Sequence, residues 1–110
     1  IELVIDKTEA MTVIDINSHL NVTKYADEDS FAYASDIIAA EEVCRQIRLR
    51  NIGGIIAVDF INVKNPEKLE KLKSKLNLLL RNDDVMAKCE FSDKLCVALI
   101  SRAKRYSSVI

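Results

Sequence analysis

The run Gly54–Ile55–Ile56–Ala57–Val58–Asp59–Phe60 constrains this chain more than any other stretch. It is too short to be a helix of its own, is rich in Ile and Val, and follows Gly53. Such a run reads as a buried central strand of a sheet. Helical periodicity flanks it on both sides. Upstream, Phe31, Ala34, Ile37, Ala40, Cys44 and Ile47 recur at spacings of three and four and form one apolar stripe. Asp27, Asp29 and Ser30 offer caps for that helix, which should run to about Asn51, with Gly53 as its stop. Downstream, Asn65–Pro66 opens a second helix whose buried stripe is Leu69, Leu72, Leu76 and Leu79. Glu67 with Lys71, and Glu70 with Ser74, fall on its solvent side.

The remaining segments read as strands in pairs. Ile1 to Asp6 and Ala10 to Ile16 form an antiparallel hairpin, followed by a polar loop from Asn17 to Tyr25. After the turn signal Asn82–Asp83–Asp84, Val85 to Phe91 and Leu95 to Ile100 form a second hairpin around Ser92–Asp93–Lys94. The tail after Ser101 is basic and then polar. The order β-β-α-β-α-β-β defines an α/β (α+β) domain, a mixed five-stranded sheet with two amphipathic helices. At 110 residues and 49% hydrophobic content the chain suits one domain with a real core. No apolar run approaches the roughly 20 residues of a membrane span. The net charge of -1 announces no nucleic-acid binder, so such a role needs a local patch. Cys44, Cys89 and Cys96 include no CxxC pair, which argues against a disulfide framework or a closed zinc site. They read as small buried hydrophobes in a reducing compartment. The chain opens at Ile1 directly into a strand and reads as a fragment of a longer protein.

Two aspartates stand out by position. Asp15 follows Thr12–Val13–Ile14, and Asp59 follows Ile55–Ile56–Ala57–Val58. Each is a carboxylate at the C-terminal end of a strand, the end where ligand crevices form in open α/β sheets. If the strands are neighbours the carboxylates converge and repel, unless a cation sits between them. Mg²⁺ suits that place, being held by one or two carboxylates with waters and phosphate oxygens. It can polarise a phosphodiester and generate a hydroxide nucleophile. The competing reading is that each Asp merely caps the turn after its strand. On the residues alone the two readings are level.

Other residues carry less. His19 lies in a polar loop and reads as a surface residue, and Ser18 has no partners for a hydrolase triad. Arg45, Arg48 and Arg50 share a helix end, where cations are favourable in any case; the alternative is a phosphate contact. Lys64, Lys68, Lys71, Lys73 and Lys75 read mainly as a solvated face, and Tyr25 and Tyr33 lack a platform strand for stacking on bases.

Two strings are more specific. Residues 4–18, VIDKTEAMTVIDINS, and 45–61, RQIRLRNIGGIIAVDFI, resemble the ribonuclease E/G family in order and separation, with Ala39–Ala40–Glu41–Glu42 suitably between them. The resemblance implies the DNase I-like catalytic subdomain of an endoribonuclease that cuts single-stranded RNA, with 5′-phosphate and 3′-hydroxyl products. It implies that Asp15 and Asp59 bind Mg²⁺, with Mn²⁺ as a possible substitute. Asn17 would match the asparagine that helps hold the first carboxylate and the scissile phosphate. Apart from the resemblance, the basic helix end suggests Arg48 and Arg50 as contacts to the RNA backbone.

The family's other parts, an S1 domain, a 5′-end sensor and an RNase H-like portion, would be partners in the parent protein. A homo-oligomer and a cytoplasmic location are implied as well. The family's zinc cysteines follow this region, so none of the three cysteines is assigned to zinc. Asn62 stands where the family usually has a second Asp, and the loop after Asn17–Ser18 lacks the family's Arg-containing continuation. Leu99 replaces a familiar acidic residue, and Cys96 aligns with a Gly. The alternative function is a catalytically weakened RNA-binding or scaffold subdomain of the same family. A plain interaction domain with structural aspartates is the third reading.

Overall fold

The computed structural model describes residues 1–103. Its elements are β1 (Glu2–Lys7), β2 (Thr12–Asn17), a 3-10 turn (Val22–Lys24), α1 (Glu28–Leu49), β3 (Gly54–Asp59), α2 (Pro66–Arg81), β4 (Ala87–Ser92) and β5 (Val97–Arg102). The strands form one five-stranded sheet in the order β1-β2-β3-β5-β4. Only β2 and β3 run parallel; β1–β2, β3–β5 and β4–β5 are antiparallel. This is the mixed sheet with two helices that the sequence implies. The basic tail beyond residue 103 lies outside the described residues.

The chain alternates along each strand. Thr12, Ile14 and Ile16 of β2, Ile56 and Val58 of β3, and Ala98 and Ile100 of β5 are buried. Their neighbours Val13, Asp15, Asn17, Ile55, Asp59 and Leu99 are exposed. The period of two therefore separates a face packed on the helices from an uncovered one. α1 and α2 pack on each other, α1 against β1 and β2, and α2 against β4. This corrects the reading of Gly54 to Phe60 as buried throughout. β3 is central, but Ile55 is 50% exposed, because both helices cover the same side of the sheet.

Helix ends follow local chemistry. The Asp27 side chain accepts from the Ser30 N–H at 2.7 Å and caps α1. Asn65 accepts from the Lys68 N–H at 3.1 Å, with Pro66 in the first turn of α2. The stop of α1 is not Gly53. Asn51 adopts φ 49° and the Ile52 N–H donates back to the Ile47 carbonyl at 2.9 Å, so an asparagine takes the left-handed closing position. Glycine freedom is used at Gly54, φ 84°, where β3 begins.

The buried stripes also differ in detail. On α2, Leu69, Leu72, Leu76 and Leu80 are buried, and Leu79 only partly. On α1 the C-terminal half keeps Ala40, Cys44 and Ile47, but further up the buried residues are Ala32, Ser35, Asp36 and Ala39. Phe31, Ala34 and Ile37 are half-buried. The helix turns small and polar residues, not its largest apolar ones, toward the strand ends.

An ion pair closes the opposite pole. Arg102 and Asp83 side chains are each 2% exposed, with Nε donating to Oδ2 at 2.8 Å. Arg102 also donates to the Ile52 carbonyl at 3.0 Å and to Asn51 Oδ1 at 3.2 Å. Burial pushes the Asp83 carboxyl up, but the Arg102 hydrogen bonds, the Val85 N–H and the Arg102 charge outweigh it and hold it below the usual range.

Candidate active site

Asp15 and Asp59 are register partners across the one parallel strand pair. Parallel neighbours lie about 4.8 Å apart, and residues in register face the same side. The side is the uncovered one, and both residues are exposed. The two carboxylates are thus neither on opposite faces nor sealed inside. Val4 stands opposite Asp15 on β1, and Val97 opposite Asp59 on β5, so apolar residues flank the acidic pair.

Asn17 lies two residues beyond Asp15, on the same face. Its side-chain amide donates to Glu2 Oε1 at 3.3 Å. Glu2 Oε1 is also 4.0 Å from His19 Nε2, and that histidine is largely exposed, as expected of a surface residue. Among the described residues no group of three or more His, Cys, Asp or Glu could hold a metal. The donor set is therefore two hard carboxylates on an open surface. That suits Mg²⁺ or Mn²⁺, which keeps waters and takes substrate oxygens, and does not suit zinc, which needs three or four close protein ligands.

The structure does not bring Arg48 and Arg50 to this pair. α1 packs its first half at the C-terminal end of β3 and ends at the turn that enters Gly54, so the arginines lie at the other end of the sheet. Gly54 and Asp59 alone are separated by about 16 Å of strand. Arg50 Nε donates to Gln46 Oε1 at 3.0 Å, and Arg48 is exposed.

Residues that sequence periodicity passed over lie beneath the pair. Asp36 is fully buried on α1, and its Oδ1 accepts from the Ile61 N–H at 2.9 Å. Its Oδ2 is buried without a hydrogen-bond partner. Burial pushes the Asp36 carboxyl up to about 8; the Ile61 N–H opposes this and the Asp59 charge adds to it. The preceding residue, Ser35, is also fully buried, with Oγ 2.8 Å from Ser18 Oγ. The available signal was the spacing of Ala32, Ser35, Asp36, Ala39 and Val43, a second stripe at helical period hidden by its small and polar members.

Cys96 completes the support from below. It is fully buried, with φ 54°, in the position that the resemblance assigns to Gly. Its carbonyl accepts from the Phe60 N–H at 3.1 Å and its thiol donates to the Ile61 carbonyl at 3.4 Å. Cys44 is buried and Cys89 half-buried, and burial pushes both thiols up to about 11, as for inert core cysteines.

Fold and site together define an α+β domain with a one-sided mixed sheet that presents an aspartate pair where the ladder between its parallel strands ends. A model of the Ribonuclease E/G family matches residues 1–105. The chain is 35% identical over 107 residues to ribonuclease E of Buchnera aphidicola subsp. Schizaphis graminum, covering 97% of this chain and 11% of that protein. It is 40% identical over 81 residues to ribonuclease E of Escherichia coli K12, covering 74% of this chain and 8% of that protein. It is 35% identical over 107 residues to ribonuclease G of Salmonella typhimurium, covering 97% of this chain and 22% of that protein. This chain belongs to the ribonuclease E/G family. It spans about a tenth to a fifth of the length of these relatives. No helix among the described residues is long and apolar enough to cross a membrane.

Proposed function

We propose that this chain is the catalytic subdomain of a Mg²⁺-dependent endoribonuclease that cuts single-stranded RNA to 5′-phosphate and 3′-hydroxyl ends. The observation that carries the reading is the register pairing of Asp15 with Asp59 on the uncovered face. Two carboxylates so close repel, and a divalent cation relieves that repulsion. Family membership and relatives named ribonucleases support RNA as the substrate. When bound, Mg²⁺ or Mn²⁺ supplies Lewis-acid polarisation of a phosphodiester and an acidified water. Asp15 and Asp59 hold the ion. Asn17, held by Glu2, orients the phosphate as a neutral donor and is no base. Arg48 and Arg50 lie too far off to touch the same phosphate and serve, in this reading, a more distant part of the RNA backbone. S1, sensor and RNase H-like domains, a homo-oligomer and a cytoplasmic location belong to the same proposal for the parent protein.

A second reading is a weakened RNA-binding or scaffold subdomain. It is favoured by Asn62, exposed and neutral where the family usually carries a further acidic residue. Cleavage of a single-stranded RNA by the parent protein, with and without Mg²⁺, separates the two. The nuclease reading expects Mg²⁺-dependent cutting that Asp15→Asn and Asp59→Asn each lower by orders of magnitude while folding survives. RNA retention without Mg²⁺-dependent cutting establishes the scaffold instead.

A further inference from the structure

Beyond the acidic pair, the two parallel strands are not held by sheet pairing alone. Three residues beyond Asp15, Ser18 Oγ meets Ser35 Oγ at 2.8 Å and also accepts from the Leu20 N–H at 3.2 Å. Two residues beyond Asp59, the Ile61 N–H donates to Asp36 Oδ1 at 2.9 Å. Ser35 and Asp36 are adjacent on α1 and both fully buried. One step of one helix therefore ties down the exits of both strands. One tie is side chain to side chain and the other side chain to main chain, both beyond the end of the β2–β3 ladder. Further along, the Asp29 carboxylate of the same helix accepts from the Lys64 and Asn65 N–H groups, so α1 holds the whole segment from β3 to α2.

The choice of residue types is uneconomical for stability alone. A buried carboxyl with one oxygen unpartnered costs free energy that an apolar side chain would not. Thiol and carbonyl of Cys96 already hold Phe60 and the Ile61 carbonyl. Asp36 adds a hydrogen bond at the Ile61 N–H. That peptide sets the direction in which the chain leaves Asp59.

We propose that Asp36, assisted by Ser35, is a positioning residue for the Asp15–Asp59 pair: it fixes the separation and aim of the two carboxylates by anchoring both strand exits to a single point of α1. The proposal rests on the reading of that pair as a cation site. Groups that support a ligand from behind commonly change metal affinity about 10–100-fold when removed.

The test is a Mn²⁺ titration of the full chain followed by electron paramagnetic resonance, with circular dichroism to establish folding and amide hydrogen exchange read at Ile61. Asp36→Ala should raise the half-saturating Mn²⁺ concentration about tenfold and release the Ile61 amide to exchange. Asp36→Asn, which keeps an acceptor for Ile61, should stay within about twofold of the wild type. Ser35→Ala, a milder change that leaves Asp36 intact, should weaken binding about threefold. If Asp36→Ala is folded, exchanges at Ile61 and still binds Mn²⁺ as the wild type does, Asp36 is structural only and the proposal is overturned. Should Asp36→Ala not fold, unchanged binding in Ser35→Ala overturns it equally. If the wild type shows no Mn²⁺ binding that Asp15→Asn removes, the cation-site reading itself is wrong, and the positioning role falls with it.

Discussion

Asp15 and Asp59 occupy matching positions on the two parallel strands, with both carboxylates on the face the helices leave bare. A parallel pair requires a crossover, and α1 is that crossover. The juxtaposition is thus a consequence of the β2–α1–β3 connection.

Replacing either carboxylate by its amide should leave the fold intact, because both are exposed and removing one relieves repulsion. Asp15→Asn and Asp59→Asn should each lower Mg²⁺-dependent RNA cleavage by the parent protein on the order of 10²–10³-fold. Asn17→Ala should cost roughly tenfold, as a group supporting the site. Single-turnover cleavage alongside thermal melting measures both; a parallel loss of folding in the Asp variants would contradict the exposed placement.

Asp36 makes stability fall as pH rises. Its carboxyl sits near pH 8 in the fold and near 3.8 when unfolded, so between those values the folded state holds a proton that the unfolded state has lost. Its neutral form is favoured throughout that window, and the advantage is gone above about 8. The slope from this one proton is at most about 1.4 kcal/mol per pH unit. Asp36→Asn should remove it. Urea unfolding from pH 4.5 to 8.5, taken as wild type minus variant, isolates the contribution of Asp36; parallel curves would refute it.

The Asp83–Arg102 pair behaves in the opposite sense. The Asp83 carboxyl is held below its ordinary value, so its contribution is present above the unfolded value of 3.8 and is lost as pH falls through the lower folded value. Asp83→Ala strands a buried guanidinium and should cost about 3–5 kcal/mol at neutral pH. Replacing both partners, with Asp83→Leu and Arg102→Met, should cost clearly less than the single change. Chemical denaturation of the single and double variants checks the ordering.

Leu72 of α2 is fully buried. Leu72→Ala should destabilise the domain by about 2–5 kcal/mol through lost transfer energy and a residual cavity. Its exposed neighbour Leu78, which is 50% exposed, should tolerate the same change within about 1 kcal/mol. Equal losses at the two positions would show that α2 is packed differently.

Much of this was legible in the residues themselves. The apolar run at 54–60, the leucine spacing of α2 and the β-branched run within Ala10 to Ile16 are local patterns, and a local pattern is what a chain writes openly. Asp59 was legible as a strand-end carboxylate; Asp15 was read the same way, but β2 runs on to Asn17, and what ends at Asp15 is its pairing with β3. Asn51 as the helix stop was not legible, because Gly53 stood nearby with the stronger intrinsic preference, and the backbone closed two residues earlier.

The sequence by itself determined the element order, the N-caps of both helices, the aspartate candidates and the family, because each rests on neighbours in the chain. Tertiary structure decided which face of the sheet stays bare, that Asp15 and Asp59 share a register, and that Ser35 and Asp36 turn inward beneath them. It also set Arg48 and Arg50 at the far end. These depend on which strands pair and on which side each crossover packs, and such choices are made between segments distant in sequence, where no local pattern records them.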